Sequence, residues 1–191
     1  MRAWQRMLSG RRLNLLEPSP LDIEIEDIAH GLSRLARWNG QTAGDWAFTV
    51  AQHSVLVEAL VGRFRQTAPP AWRLAALLHD AAEYVIGDLI SPFKSAVGLD
   101  YKSFETVLQG AIHIRFSLAA IPPNTAARLI KRADRAAAYL EATQLAGFEP
   151  AEARRLFGNT RGLDTITFAT LPPDKAKVQF LDRFKALAGK V

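Results

Sequence analysis

Residues 72–87 read W-R-L-A-A-L-L-H-D-A-A-E-Y-V-I-G. At helical spacing this stretch is apolar almost all the way round, so it reads as a central, buried helix from about Ala71 to Ile86, closed by Gly87 as a C′ glycine. Into it the chain inserts His79, Asp80 and Glu83. His79 and Glu83 stand four apart and share a face with Trp72, Ala75, Ala76 and Ile86, while Asp80 sits about 100° round the helix. Burying a carboxylate is costly unless a cation or hydrogen bonds compensate. One such residue would read as a satisfied core polar group. Three together, with Asp88 just beyond the helix end, point to a site.

Working outward, the same periodicity predicts helices over about 25–37, 49–64, 101–116 and 122–146, and a last one from Pro173. Asp164–Thr170 (D-T-I-T-F-A-T) alternates and is β-branched, which allows one short strand. Six helices without a set of strands make the chain all-α, and the absence of repeats or a Gly/Ser linker makes it one domain. Two further polar residues interrupt apolar faces. His53 shares a stripe with Val50, Val57, Val61 and Phe64, and Asp134 falls with Ile130, Ala133 and Ala137. Two imidazoles and two carboxylates from three helices form an N/O donor set suited to one divalent ion: Mn, Fe, Co, Ni or Zn, or else Mg. Four protein ligands leave coordination positions for water and substrate.

The 191 residues are 49% hydrophobic and 23% charged, which excludes a disordered or fibrous chain. There is no cysteine, which removes disulfides, thiolate metal sites and cysteine nucleophiles together and fits a reducing cytoplasm. The net charge of +5 is a local feature. Arg2, Arg6, Arg11 and Arg12 lie in the first sixteen residues with no acid, leaving 20 basic and 19 acidic side chains for the rest. Residues 1–24 therefore read as a solvated basic arm and turn, and 25–191 as the folded domain. The near-neutral body gives no reason to expect a nucleic-acid partner, and no apolar run has the length of a membrane span. His30 and His113 read as wet-side histidines, and Arg128, Lys131, Arg132 and Arg135 as a solvated helix face.

The ordered series His53, His79-Asp80, Asp134 resembles the metal-binding pattern of the HD-domain metal-dependent phosphohydrolases. Arg37-Trp38, V-A-Q-H-S (Val50–Ser54), L-L-H-D-A-A-E (Leu77–Glu83), G-D-L-I-S-P-F-K (Gly87–Lys94) and K-R-A-D (Lys131–Asp134) are together similar to the bacterial 5′-deoxynucleotidase branch, across roughly residues 25–146. Gln52 departs from the Glu common there. The resemblance implies an all-α cytoplasmic enzyme removing phosphate from (deoxy)nucleoside 5′-monophosphates, and a homodimer. It implies His53, His79, Asp80 and Asp134 as metal ligands, Glu83 and Asp88 as catalytic groups, and Arg37, Trp38 and Lys94 as substrate-binding residues. Arg37 and Trp38 also read as a helix-end cation and a packing residue. Asp22–Trp38 looks more like small phage and proteobacterial HD proteins, some of which hydrolyse deoxynucleoside triphosphates. A triphosphohydrolase at the same site, and a silent nucleotide-binding HD protein, are the competing readings.

Overall fold

A computed structural model describes residues 3–88, 100–158, 162–163 and 165–191. The described helices are α1 (Ile25–Leu32), α2 (Val50–Phe64), α3 (Pro70–Leu77), α4 (Glu83–Ile86), α5 (Asp100–Arg115), α6 (Asn124–Gln144), α7 (Pro150–Phe157) and α8 (Pro173–Ala188). The chain is mostly α-helical, as its periodicity predicts. Thr49 caps α2 by accepting from the Gln52 N–H, and Val57, Leu60 and Val61 carry one buried side of that helix. Along α6, Ala126, Ile130, Ala133, Ala137 and Leu140 recur at helical spacing and pack against α2. These small residues let two helices bearing polar side chains approach closely. Phe180 and Leu187 of α8 close the core over α2 and α3. Gly31 marks where α1 meets α4, since a Cβ there would lie 2.8 Å from the Tyr84 Cβ.

Four local expectations are corrected. The helix predicted over 71–86 is broken. α3 stops at Leu77, residues 78–82 form turns, and α4 resumes at Glu83. Through the break the bonds tighten to three-residue spacing (Ala81 to Leu78, Glu83 to Asp80), and the Gln109 side chain of α5 takes both the Leu78 carbonyl and the Ala82 N–H. The first predicted helix ends at Leu32, not 37, and Arg37–Gly40 forms a separate tight turn. No strand forms among the described residues of 164–170. Side chains take part of this backbone instead: Gln52 donates to the Ala169 carbonyl and, just beyond, accepts from the Leu171 N–H, and Gln144 donates to the Ile166 carbonyl. A glutamate at position 52 could not donate, which accounts for the amide.

The amino-terminal segment is the fourth. It is not a solvated arm but a hairpin, β1 (Trp4–Arg6) pairing antiparallel with β2 (Arg12–Asn14). Leu13 is completely buried, and Ser9 in the turn donates to both Asp27 oxygens through its N–H and hydroxyl. Arg11 forks onto Glu24, and Arg12 lies over the Trp4 ring. With Arg6 donating to the Gly10 carbonyl, three of the cations that made the arm look basic have structural partners.

Candidate metal centre

Three separate parts of the chain bring the donor set together: α2 carries His53, the turn after α3 carries His79 and Asp80, and α6 carries Asp134. His53 is fully buried, and its Nδ1 faces the Glu141 carboxylate at 2.5 Å. His79 Nδ1 lies 2.9 Å from the Ala76 carbonyl, so that nitrogen donates. In both rings the proton belongs on Nδ1, leaving the Nε2 lone pair for a cation. Both Nε2 atoms are buried without a hydrogen-bond partner. Asp80 Oδ2 lies 3.1 Å from His79 Nε2 and 3.5 Å from His53 Nε2, and Asp134 Oδ1 lies 3.3 Å from His53 Nε2. The ligand atoms of His53, His79 and Asp80 all fall within 4.8 Å of one another. Two orphaned imidazole nitrogens facing carboxylate oxygens fit a divalent cation, and nothing in the donor set singles out which.

The electrostatics favour positive charge at that point. Burial and Arg37 press His53 toward neutrality, but Glu141, Asp134 and Asp80 outweigh them and hold its pKa well above the ordinary histidine range. Burial would raise Asp80 and Asp134, yet the neighbouring histidines keep both below the usual carboxylate range. A field that favours a proton on His53 favours a divalent cation beside it for the same reason.

Glu141 is the functional residue the sequence reading missed. It is fully buried, and its carboxylate takes the His53 Nδ1–H, the Trp38 Nε1–H at 2.9 Å and the Arg37 Nε–H at 3.4 Å. Burial would raise it, but His53 and Arg37 hold it down to about 2. The available signal was its position seven residues after Asp134, two turns along the same face of α6.

Arg37 also meets Asp88, Nη1 to Oδ2 at 3.0 Å, so Arg37 and Asp88 border the metal cluster as a pair. An antiparallel bridge between Ala36 and Thr49 ties this segment to the start of α2. Trp38 and Asn39 follow in left-handed backbone (φ 57° and 51°), a conformation that costs of order 1–3 kcal/mol per non-glycine residue. The Trp38 ring rests against Phe148 and Phe157 with centroids 5.6 and 5.9 Å away, so its contacts are those of a packing and anchoring residue. Glu83 is buried at the start of α4, one turn after the His79-Asp80 pair. Lys94 lies outside the described residues. His113 corrects its reading, being buried on α5, whereas Arg128, Lys131, Arg132 and Arg135 are exposed on α6 as read.

The chain is 53% identical over 191 residues to Uncharacterized protein RCAP_rcc00048 of Rhodobacter capsulatus, covering 97% of this chain and 96% of that one. It is 29% identical over 183 residues to Uncharacterized protein YfdR of Escherichia coli K12, covering 96% and 94%. No protein-family model matches. Among solved structures it resembles the cyanophage S-2L HD phosphohydrolase DatZ, bound to dA and one catalytic Zn2+ ion. The TM-score is 0.50 and the identity 21%, over 86% of this chain and 96% of that one. The fold is thus that of an HD phosphohydrolase. Among the described residues, no helix is long and apolar enough to cross a membrane.

Proposed function

The chain belongs to the family of the Rhodobacter capsulatus protein RCAP_rcc00048, and from its fold and its donor cluster we propose that it is a metal-dependent phosphohydrolase acting on (deoxy)nucleoside 5′-monophosphates. The observation that carries this reading is the pair of buried Nε2 atoms facing Asp80 and Asp134 beside the Arg37–Asp88 pair. The S-2L protein, with the same fold, binds deoxyadenosine and a zinc ion, which supports a nucleotide ligand and a divalent metal here.

His53, His79, Asp80 and Asp134 would hold the ion. When bound, it supplies Lewis acidity, neutralising phosphate charge and making water a better acid. Glu83, buried beside the metal turn, is the group to take a proton from the attacking water at its carboxylate. Arg37, with Nε and Nη1 committed to Glu141 and Asp88, offers Nη2 to a phosphate oxygen. Asp88, held by that guanidinium, would act on the leaving ribose oxygen, while Trp38 keeps Arg37 in register through their shared Glu141. Lys94 would add a second cation. The reaction balances as nucleoside monophosphate plus water giving nucleoside and inorganic phosphate.

One observation favours triphosphates as a second reading. Arg128, Lys131 and Arg135 are exposed on the flank of α6 next to Asp134, with no ion pair among the described residues, and could receive outer phosphates. A phosphate-release screen of mono-, di- and triphosphates with Mn2+, Co2+ and Zn2+ decides between them. Inorganic phosphate from dAMP supports the first reading, and tripolyphosphate from dATP the second. No product from any nucleotide, with His79→Ala protein binding those nucleotides as well as wild type, would leave a binding protein.

A further inference from the structure

We propose that Gln109 is a positioning residue for the metal centre: its carboxamide, wedged between the Leu78 carbonyl and the Ala82 N–H, holds the His79-Asp80 turn open so that both side chains serve one ion. The inference rests on the metal-site reading above. In an uninterrupted α-helix the Ala82 N–H would donate to the Leu78 carbonyl. Here Gln109 Oε1 accepts from Ala82 at 3.1 Å, and Gln109 Nε2 donates to Leu78 at 2.6 Å. One amide thus stands in for a missing rung of the helix, with both freed backbone groups satisfied.

The wedge is itself oriented. The second Gln109 Nε2 hydrogen meets His113 Nε2 at 2.9 Å, and His113 Nδ1 donates to the Ala120 carbonyl at 3.1 Å. Only a neutral His113 protonated on Nδ1 can both donate to Ala120 and accept from Gln109. With that tautomer the Gln109 amide has one way round, oxygen toward Ala82. Burial of His113 works in the same direction, lowering its pKa.

Glutamate at 109 would face two acceptors with no hydrogen to offer. An apolar residue would leave the Ala82 N–H unpaired and the Leu78 carbonyl with the Ala81 N–H alone, and the regular helical partner of the Ala82 N–H is that same carbonyl. The failure expected without the wedge is therefore closure of α3 and α4 into one helix, with Asp80 rotated about 100° away from His79. Closure disturbs the metal site in a protein that remains folded, which a residue important only for stability would not do.

The test titrates the full-length protein with Co2+ and records its visible absorption, without substrate. Gln109→Met and Gln109→Glu are expected to bind Co2+ about 10–100-fold more weakly, with altered spectra. His113→Leu, which keeps the wedge but frees its orientation, should weaken binding severalfold and carries the test where the Gln109 variants do not fold. Arg183→Met, which removes the guanidinium fork on the Glu58 carboxylate of α2, should change stability while leaving Co2+ affinity and spectrum unchanged. Affinity within twofold of wild type and an unaltered spectrum in every folded Gln109 and His113 variant would overturn the proposal alone. Failure of the wild type to bind Co2+, Mn2+ or Zn2+ would overturn the metal-site reading and this inference with it.

Discussion

At the residue scale, one carboxylate organises the site from behind. Glu141 fixes the His53 tautomer, anchors the Trp38 indole and takes one edge of Arg37. Its pKa of about 2, against an ordinary 4.5, is a stability contribution with a definite sign. A depressed carboxyl stabilises the fold fully above its unfolded pKa, and the contribution disappears as pH falls from about 4.5 to about 2. The shift corresponds to about 3 kcal/mol for a wholly buried group. In chelator-treated protein, Glu141→Gln should therefore be less stable than wild type at pH 6 by up to about 3 kcal/mol. The difference should shrink through that acid window and be gone near pH 2. Urea melts at pH 6, 4, 3 and 2 measure it, and a difference constant with pH would place the effect outside the carboxylate. The proposed metal ligands were legible in the sequence because each interrupts an apolar stripe. Glu141 interrupts one too, between Leu140 and Ala142, but near a helix end where polar side chains are ordinary.

At the scale of elements, what the sequence could not show is contact between distant segments. Residues 71–86 keep helical spacing from end to end, and the wedge that breaks the helix comes from α5, 27 residues from Ala82. Helical propensity contains no term for a carboxamide arriving from elsewhere. The same holds for 164–170, whose alternation is real but whose Ile166 and Ala169 carbonyls are claimed by Gln144 and Gln52. Gln52→Glu should lose the donor to Ala169 and cost about 1–3 kcal/mol, measurable by urea denaturation at neutral pH. The hairpin was hidden by brevity, since strands of three residues carry almost no periodic signal. Its contribution lies in Leu13, which is completely buried. Leu13→Ala should destabilise the protein by about 2–5 kcal/mol, as for a core leucine. A loss below about 0.5 kcal/mol, typical of surface positions, would restore the solvated-arm reading.

At the scale of the whole molecule, the site and the scaffold are coupled by topology. α2 carries His53 on one side and the buried Glu58 on the other, where Arg73 of α3 and Arg183 of α8 close on it at 2.6 and 2.5 Å. The triad binds α2 to α3 and α8 without a metal. On the opposite side, the donors come from α2, from the turn after α3 and from α6, positions 53, 79, 80 and 134. An ion held there would cross-link segments that are remote in sequence and adjacent only in the folded state. The unfolded chain cannot offer the same four groups together, so binding must stabilise the fold by mass action. At a free metal concentration about 100 times Kd the gain is about 2.7 kcal/mol. For a domain of this size each kcal/mol shifts Tm by roughly 2–4 °C. Saturating Mn2+, Co2+ or Zn2+ should therefore raise Tm by about 5–10 °C, and a chelator should return it to the starting value. His79→Ala and Asp134→Ala should abolish the shift even though His79 and Asp134 stand on different elements. Arg183→Met should lower the starting Tm yet keep the full metal-induced rise, because its contact lies on the far side of α2. Differential scanning calorimetry with and without metal separates the two effects. A rise that survives His79→Ala would mean that the ion binds somewhere other than this cluster.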